Sequence, residues 1–177
     1  TTWSLPITVL HNETPYYIAN AELYQLANGV IVIGGNGRSN DSETIVVSRS
    51  LDNGDTWLPQ QTIYESGKGC WEPAFLQLTN GELQVYFADE APYPNSSEQE
   101  IAMLSSTDNG ETWTKKTKTV CFRVGRRDGM PVPIIVNDEI LVAIEDNKVW
   151  ETMKPYIVRN TISDTWERTV LADSPNR

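Results

Sequence analysis

Histidine is almost absent from this sequence: among 177 residues there is only His11, in the polar stretch His11-Asn12-Glu13-Thr14. A zinc site with several imidazole ligands is therefore excluded, and a Ser-His-Asp triad would have to be built on that one side chain. His11 reads as a solvated loop residue. Cysteine is nearly as scarce, with only Cys70 and Cys121, and their spacing forms no C-x-x-C, which speaks against thiolate metal binding. The two are either one disulfide or two buried thiols. Positive charge is also short, since 14 Lys and Arg face 24 Asp and Glu for a formal net charge of -10. Apart from Arg123, Arg126 and Arg127 the basic residues are scattered, the wrong balance for gripping a phosphate backbone, so nucleic acid is not an expected partner. Long apolar runs are missing too. A run such as Val30 to Gly34 is far below the roughly 20 residues of a membrane-crossing helix, and no membrane partner is expected. No signal peptide is visible, and the chain opens on Thr1 instead of Met, which fits processing or a fragment of a longer chain.

What the sequence does have is a repeat. Ser50-Leu51-Asp52-Asn53-Gly54-Asp55-Thr56-Trp57 returns 56 residues later as Ser106-Thr107-Asp108-Asn109-Gly110-Glu111-Thr112-Trp113, matching S-x-D-x-G-x-T-W at every fixed position. A decayed third copy ends at Asp164-Thr165-Trp166. Upstream of each copy lies a hairpin signature: 23–32 around Asn28-Gly29, 75–85 around Asn80-Gly81, and 134–142 around Asn137-Asp138. In the second unit the β-branched and aromatic residues predict four short strands, over 73–78, 83–88, 101–106 and 113–120. No stretch keeps helical periodicity beyond roughly two turns. The expected fold is all-β, a β-propeller of four-stranded antiparallel blades. Three blades are expected, at 17–65, 70–120 and 128–170, and together they make residues 1–177 a partial propeller. A ring needs about four to eight blades, and three leave two open sheet edges. Further blades are expected from a longer chain or from another copy.

In the repeated turn, the Asp can accept from N–H groups of its own hairpin, Gly supplies a positive φ, and Trp plugs the space between sheets. Its role is structural. If these turns join strands three and four at the bottom, the Asn-Gly hairpins lie there as well. Starts of first strands and ends of second strands then lie on top. That rule places Asn20, Glu72 and Asp128 at strand-one starts, with Arg38, Asp89, Glu90 and Glu145 at or just beyond strand-two ends. Carboxylates converging near an axis repel one another, a cost that points to use. Glu72 lies in Gly69-Cys70-Trp71-Glu72-Pro73, where Trp and Pro make a rigid, desolvated setting that raises a carboxyl pKa and suits a general acid. Glu145 emerges from the apolar run Ile140-Leu141-Val142-Ala143-Ile144. Its alternative is capping the strand end, and that of Glu72 is a solvated loop. Two carboxylates facing one cleft from adjacent blades are the equipment of glycoside hydrolysis. In Arg126-Arg127-Asp128-Gly129-Met130, an arginine can hold a protein carboxylate, a sugar hydroxyl or a surface ion pair. Trp71 and Tyr93 can stack on a sugar face or serve packing alone.

The S-x-D-x-G-x-T-W turns resemble the Asp boxes of the sialidase superfamily, a set of six-bladed propellers, over nearly the whole chain. Sialidases of that superfamily carry an F/Y-R-I-P motif in the first blade and an arginine triad that clamps the substrate carboxylate. Here Tyr16-Tyr17-Ile18-Ala19-Asn20 stands in that place. Trp71-Glu72-Pro73, Leu83-Gln84-Val85-Tyr86-Phe87-Ala88-Asp89-Glu90, Arg127-Asp128-Gly129-Met130 and the strand ending in Glu145 are similar instead to exo-1,5-α-L-arabinanases of glycoside hydrolase family 93. Those enzymes release arabinobiose from linear arabinan with retention, using two glutamates on successive blades. The resemblance implies Glu72 as acid/base and Glu145 as nucleophile, with Asn20, Arg38, Trp71, Glu90, Arg127 and Asp128 binding an oligo- or polysaccharide. It calls for no metal or organic cofactor, and it implies a secreted or periplasmic protein. Two rivals remain: an exo-sialidase, disfavoured by the missing arginines, and a non-catalytic propeller that binds glycans or proteins, in which the top-face carboxylates are incidental.

Overall fold

A computed structural model of the chain describes residues 2–11, 17–39, 42–147, 154–164 and 166, and these described residues form eleven strands. The first sheet takes β1 (Tyr17–Gln25), β2 (Ile31–Arg38), β3 (Glu43–Ser50) and β4 (Gln61–Ser66) in sequence order, all antiparallel. The second does the same with β5 (Cys70–Gln77), β6 (Leu83–Asp89), β7 (Glu100–Ser106) and β8 (Lys118–Cys121). A third sheet holds β9 (Arg127–Val136), β10 (Glu139–Asn147) and β11 (Lys154–Thr161). β1 lies beside β5 and β5 beside β9, so the first strands of successive sheets are neighbours. This is a partial β-propeller. The fourth strand expected up to residue 170, and Thr165 of the decayed turn, lie outside the described residues.

Turn chemistry sets the hairpins. Leu26 donates to Val30 O and Gly29 N–H returns to Leu26 O, with Gly29 at φ +91°, a conformation that strains any residue with a Cβ. Leu78, Gly81 and Glu82 repeat the pattern at the β5–β6 turn. One strand differs from the sequence expectation. β8 begins at Lys118, not near 113, because Trp113 turns inward to donate to Gly110 O at 3.2 Å, and Thr114 then bonds Ser105 through its N–H and its hydroxyl before the ladder resumes.

The sheets are joined by two apolar layers. In β6 every residue is buried, and its alternating side chains serve both sides. Leu83, Val85 and Phe87 pack towards the first sheet with Val32, Ile45, Val47 and Phe75, whereas Tyr86 and Ala88 pack towards the third with Ile140, Val142, Ile144 and Trp166. Gly34 is needed for the first layer, since a Cβ there would sit 2.7 Å from Phe75 Cζ. Cys70 and Cys121 are free, buried thiols belonging to different layers, which decides between the two alternatives for them.

Both intact repeated turns are hydrogen-bonded as their residues suggest. Asp108 Oδ1 accepts from Ser106 Oγ (2.7 Å) and Thr112 N–H (2.8 Å), and Ser106 Oγ accepts from Gly110 N–H (2.8 Å). Asp52 makes the matching set with Ser50 and Thr56. The second turn also ties the sheets together, because Gln61 Nε2 of β4 donates to Gly110 O at 2.9 Å. Ser106 pairs with Leu83 at one end of β6, while Cys70 and Trp71 pair with Asp89 and Ala88 at the other. Glu72 and the Asp108 turn therefore lie at opposite ends of the sheet, on the order of 20 Å apart.

Slight burial pushes the Asp108 carboxyl up, but the Thr112 and Ser106 hydrogen bonds win and hold it at about 2. A depressed carboxyl stabilises the fold at and above the ordinary carboxylate range and loses that effect as pH falls towards about 2. Allowing for solvent screening, Asp108→Asn should remove about 1 kcal/mol and lower Tm by about 2–4 °C near neutral pH, with the difference vanishing in strong acid. A thermal melt series on both proteins checks this.

Candidate active site

The first strand of each sheet carries one residue in the left-handed region near its start: Asn20 (φ +51°), Glu72 (φ +61°) and Met130 (φ +50°). Each sits at a register jump, between Ala19 and Glu22, between Trp71 and Ala74, and opposite the interval Ala143 to Glu145. These are β-bulges, which re-aim a side chain and release an N–H from the ladder. Asn20, Glu72 and Met130 thus hold the same place in three blades. By the same register, Asn36, Ala88 and Glu145 are equivalent on the second strands, facing Ala19, Trp71 and Gly129.

Glu72 is half-buried and reaches across to the next sheet, where its Oε2 accepts the Met130 N–H at 2.6 Å. Its own N–H points back at Asn36 Oδ1 of the preceding sheet, at 3.4 Å. A Cβ on Gly129 would lie 3.2 Å from Glu72 Oε2, so the absent side chain at 129 is the space the carboxyl uses. Gly129 is the cross-strand partner of Glu145, which is also half-buried. The two glutamates expected to cooperate are brought to one place. Burial pushes the Glu72 carboxyl above its ordinary range; the Met130 N–H opposes this and the charge of Glu145 adds to it.

The wall beside Glu72 is a stack. The Arg38 guanidinium lies 4.4 Å from the Trp71 ring centre and 5.4 Å from that of Tyr17, and its Nε donates to Glu43 Oε1 at 3.0 Å. Trp71 Nε1 donates to Glu90 Oε1 (3.0 Å), which also takes Arg127 Nη2 (2.6 Å). Arg127 further donates to Gln99 Oε1 and Ser97 O. This arginine thus holds a protein carboxylate while staying partly exposed. Asn20 is exposed at the top of β1.

Asp128 needs correction as a sugar-binding residue. It is 0% exposed, and its carboxylate is held by the buried Arg123 guanidinium. The reason is alternation: Asp128 stands two residues before the bulge, where Cys70 stands in the second sheet, and that position faces the layer between sheets. Asp89 is likewise buried. It accepts from Tyr64 OH (2.6 Å) and Ala91 N–H (3.0 Å), and lies across from buried Glu100, held by Tyr93 OH and Thr119. Tyr93, expected as a sugar platform or as packing, stacks on Phe122 at 4.7 Å. His11 is exposed, and its backbone N–H donates to Gln60. Among the described residues no group of three or more His, Cys, Asp or Glu is arranged to hold a metal ion. Sequence reasoning missed Asn36, Gln99, Gly129 and Met130. A signal was present in the repetition of a residue followed by proline at Glu72-Pro73 and Met130-Pro131, each near the start of a first strand.

Residues 1–160 match the description of the BNR repeat-like domain. Among solved structures, the chain is similar to an α-L-arabinofuranosidase from Fusarium graminearum in complex with an iminosugar inhibitor (TM-score 0.68, 20% identity, 80% of this chain and 46% of that one). It is also similar to an α-L-arabinanase from Penicillium chrysogenum complexed with arabinobiose (TM-score 0.65, 22% identity, 80% and 45%). A third is a family 117 glycoside hydrolase from the marine bacterium Zobellia galactanivorans (TM-score 0.61, 12% identity, 81% and 52%). These likenesses establish the propeller fold, and the chain spans about half the length of each structure or less. A search of curated proteins gives no match.

Burial raises the Glu72, Asp89 and Glu100 carboxyls, against the hydrogen bonds each accepts. Between the ordinary carboxylate range and these raised values the folded chain keeps protons that the unfolded chain releases, so stability falls as pH rises through that window. Urea midpoints should therefore increase as pH falls from neutrality towards the ordinary carboxylate range. In Glu100→Gln the increase should be smaller, and an unchanged slope would show that Glu100 does not contribute to it.

Proposed function

We propose, for a chain that belongs to the BNR repeat-like domain family, that Glu72 and Glu145 are the acid/base and the nucleophile of a retaining glycoside hydrolase acting on a neutral, linear α-1,5-L-arabinan from its end. The observation that carries this reading is the meeting of the two glutamates on β9, with the Glu72 carboxyl lying against Gly129, the residue across from Glu145. Paired residues on neighbouring antiparallel strands are about 4.5–5.5 Å apart at Cα. The charge of Glu145 acts on the Glu72 carboxyl resting there, and the reading expects the two carboxyls at about 5–5.5 Å, the range of retention, against about 6.5–9.5 Å for inversion.

The chemistry follows from the environments. Glu72, pushed up by burial, carries a proton near neutral pH more readily than an ordinary glutamate and can give it to the departing glycosidic oxygen. Glu145 attacks the sugar carbon to form a glycosyl ester, and Glu72, now a carboxylate, takes a proton from the water that releases the sugar. Trp71, stacked on Arg38 and only partly buried, is the aromatic side chain this reading assigns to contact with the sugar.

Charge favours a neutral substrate over a sialic acid. Arg38, Arg123 and Arg127 each already hold a carboxylate of the protein, namely Glu43, Asp128 and Glu90. No clamp for a substrate carboxylate is built from them. The names of the neighbours, an arabinofuranosidase and an arabinanase, support the choice of arabinan. Completion of the ring by further blades, from a longer chain or another copy, and action outside the cytoplasm belong to the same proposal. Val132, Ile134 and Val136 of β9 and Leu23 of β1 are 40–61% exposed, the kind of face a further blade would cover.

The test is hydrolysis of debranched arabinan and of sialyl-lactose by the full-length protein, with Glu72→Gln and Glu145→Gln beside it. Arabinan should be cleaved with retention, and each variant should lose several orders of magnitude in turnover at unchanged Tm. Cleavage of sialyl-lactose, sugar binding without turnover, or near-normal activity in either variant would overturn the reading.

A further inference from the structure

We infer that the Gly129–Met130 bulge is the positioning device for Glu72: the Met130 main-chain N–H fixes one carboxyl oxygen, Gly129 makes room for it, and the exchangeable proton is thereby carried on the other oxygen, Oε1. The inference rests on the role proposed for Glu72 and adds to it which groups place the carboxyl and which oxygen reacts.

Three observations carry it. The first is the bond itself, from Met130 N–H to Glu72 Oε2 at 2.6 Å across two sheets. That N–H is available because Met130 sits at the bulge, where the register jumps and the ladder leaves it without a partner on β10. The second is steric. A Cβ at residue 129 would meet Glu72 Oε2 at 3.2 Å and Gln99 Nε2 at 3.1 Å. Gln99 has little freedom to yield, because its Nε2 donates to Asp128 O at 2.7 Å while its Oε1 accepts from Arg127 at 3.0 Å. A side chain at 129 therefore crowds the carboxyl, which must give by a few tenths of an ångström. The third is the repetition of the device one blade earlier, where the N–H of the equivalent bulge residue, Glu72, points at Asn36 Oδ1 of the preceding sheet. Both acceptors belong to the sheet before, but only at Met130 is the acceptor an ionisable group.

The chemical consequence concerns the two oxygens. An oxygen that accepts a short N–H bond holds negative charge well and is the poorer site for a proton, because protonation there would weaken the bond. Oε2 is the anchored oxygen. Oε1 is left to give the proton to a leaving group and to take one back from water.

The test is Gly129→Ala in the full-length protein, read in two ways. With the Glu72 carboxyl followed by carbon NMR, weakening of the N–H bond should move its titration upward. In turnover, kcat should fall at least about tenfold, with KM changed much less, and the limb of the pH profile set by Glu72 should move in the same direction. A residue with a merely structural role would lower Tm and leave the titration where it was. Should the alanine variant fail to fold, the parent protein answers alone: the Met130 amide proton should shift as Glu72 ionises, and this response should vanish in Glu72→Gln. An unmoved Glu72 titration in Gly129→Ala, or a Met130 amide blind to Glu72, overturns the inference. If the NMR responses appear but no arabinan is cleaved, the substrate reading fails and the positioning stands.

Discussion

The first strand of a blade has one edge that no strand covers, and its N–H groups still need acceptors. In this protein the acceptors are side chains of the sheet before. Glu22 takes the Phe75 N–H, Tyr24 OH takes the Gln77 N–H, Asn36 faces the Glu72 N–H, and Glu72 takes the Met130 N–H. Docking of blades and placement of the Glu72 carboxyl are therefore one interaction seen from two sides. Glu22 shows the cost, since burial between sheets pushes its carboxyl up although the Phe75 N–H pulls it back.

How much of this was legible in the sequence depends on whether a residue's job is local. The repeated turn is local: serine, aspartate, glycine and threonine within seven residues bond one another, so their spacing alone announces the hairpin and the blade. The placement of Glu72 and Glu145 at one end of their sheets was legible at one remove, through the polarity of strands between known turns. Whether a charged residue is free is not local at all. Asp128 and Glu90 sit where strand polarity puts them, yet each is consumed by an arginine chosen by the packing of other segments. Gly129 was illegible for the same reason, because the atoms that forbid its side chain come from Glu72 and Gln99, distant in sequence.

The second sheet concentrates the protein's electrostatic burden. Asp89 and Glu100 face each other at the end of β6 and β7, both buried, each quieted by a tyrosine hydroxyl. Glu43 nearby keeps a buried oxygen, Oε2, without a hydrogen-bond partner. In a chain of net charge -10 these groups cost stability that apolar residues would not. Their hydrogen bonds hold the strand ends and loop from which Trp71, Glu90 and Arg127 are displayed.

The burial of β6 on both faces has a consequence for synthesis. The first sheet is complete at Ser66, yet its inner face is covered only when Phe75, Val85, Phe87 and Leu104 have been made. At ribosomal speeds of about 5–20 residues per second, the 38 residues from Ser66 to Leu104 take about 2 to 8 s, and for that interval Val32, Ile45 and Val47 face water or a chaperone. Each blade thus leaves the ribosome as the cover for the one before it, so the length of the repeat sets how long every nascent sheet stays sticky.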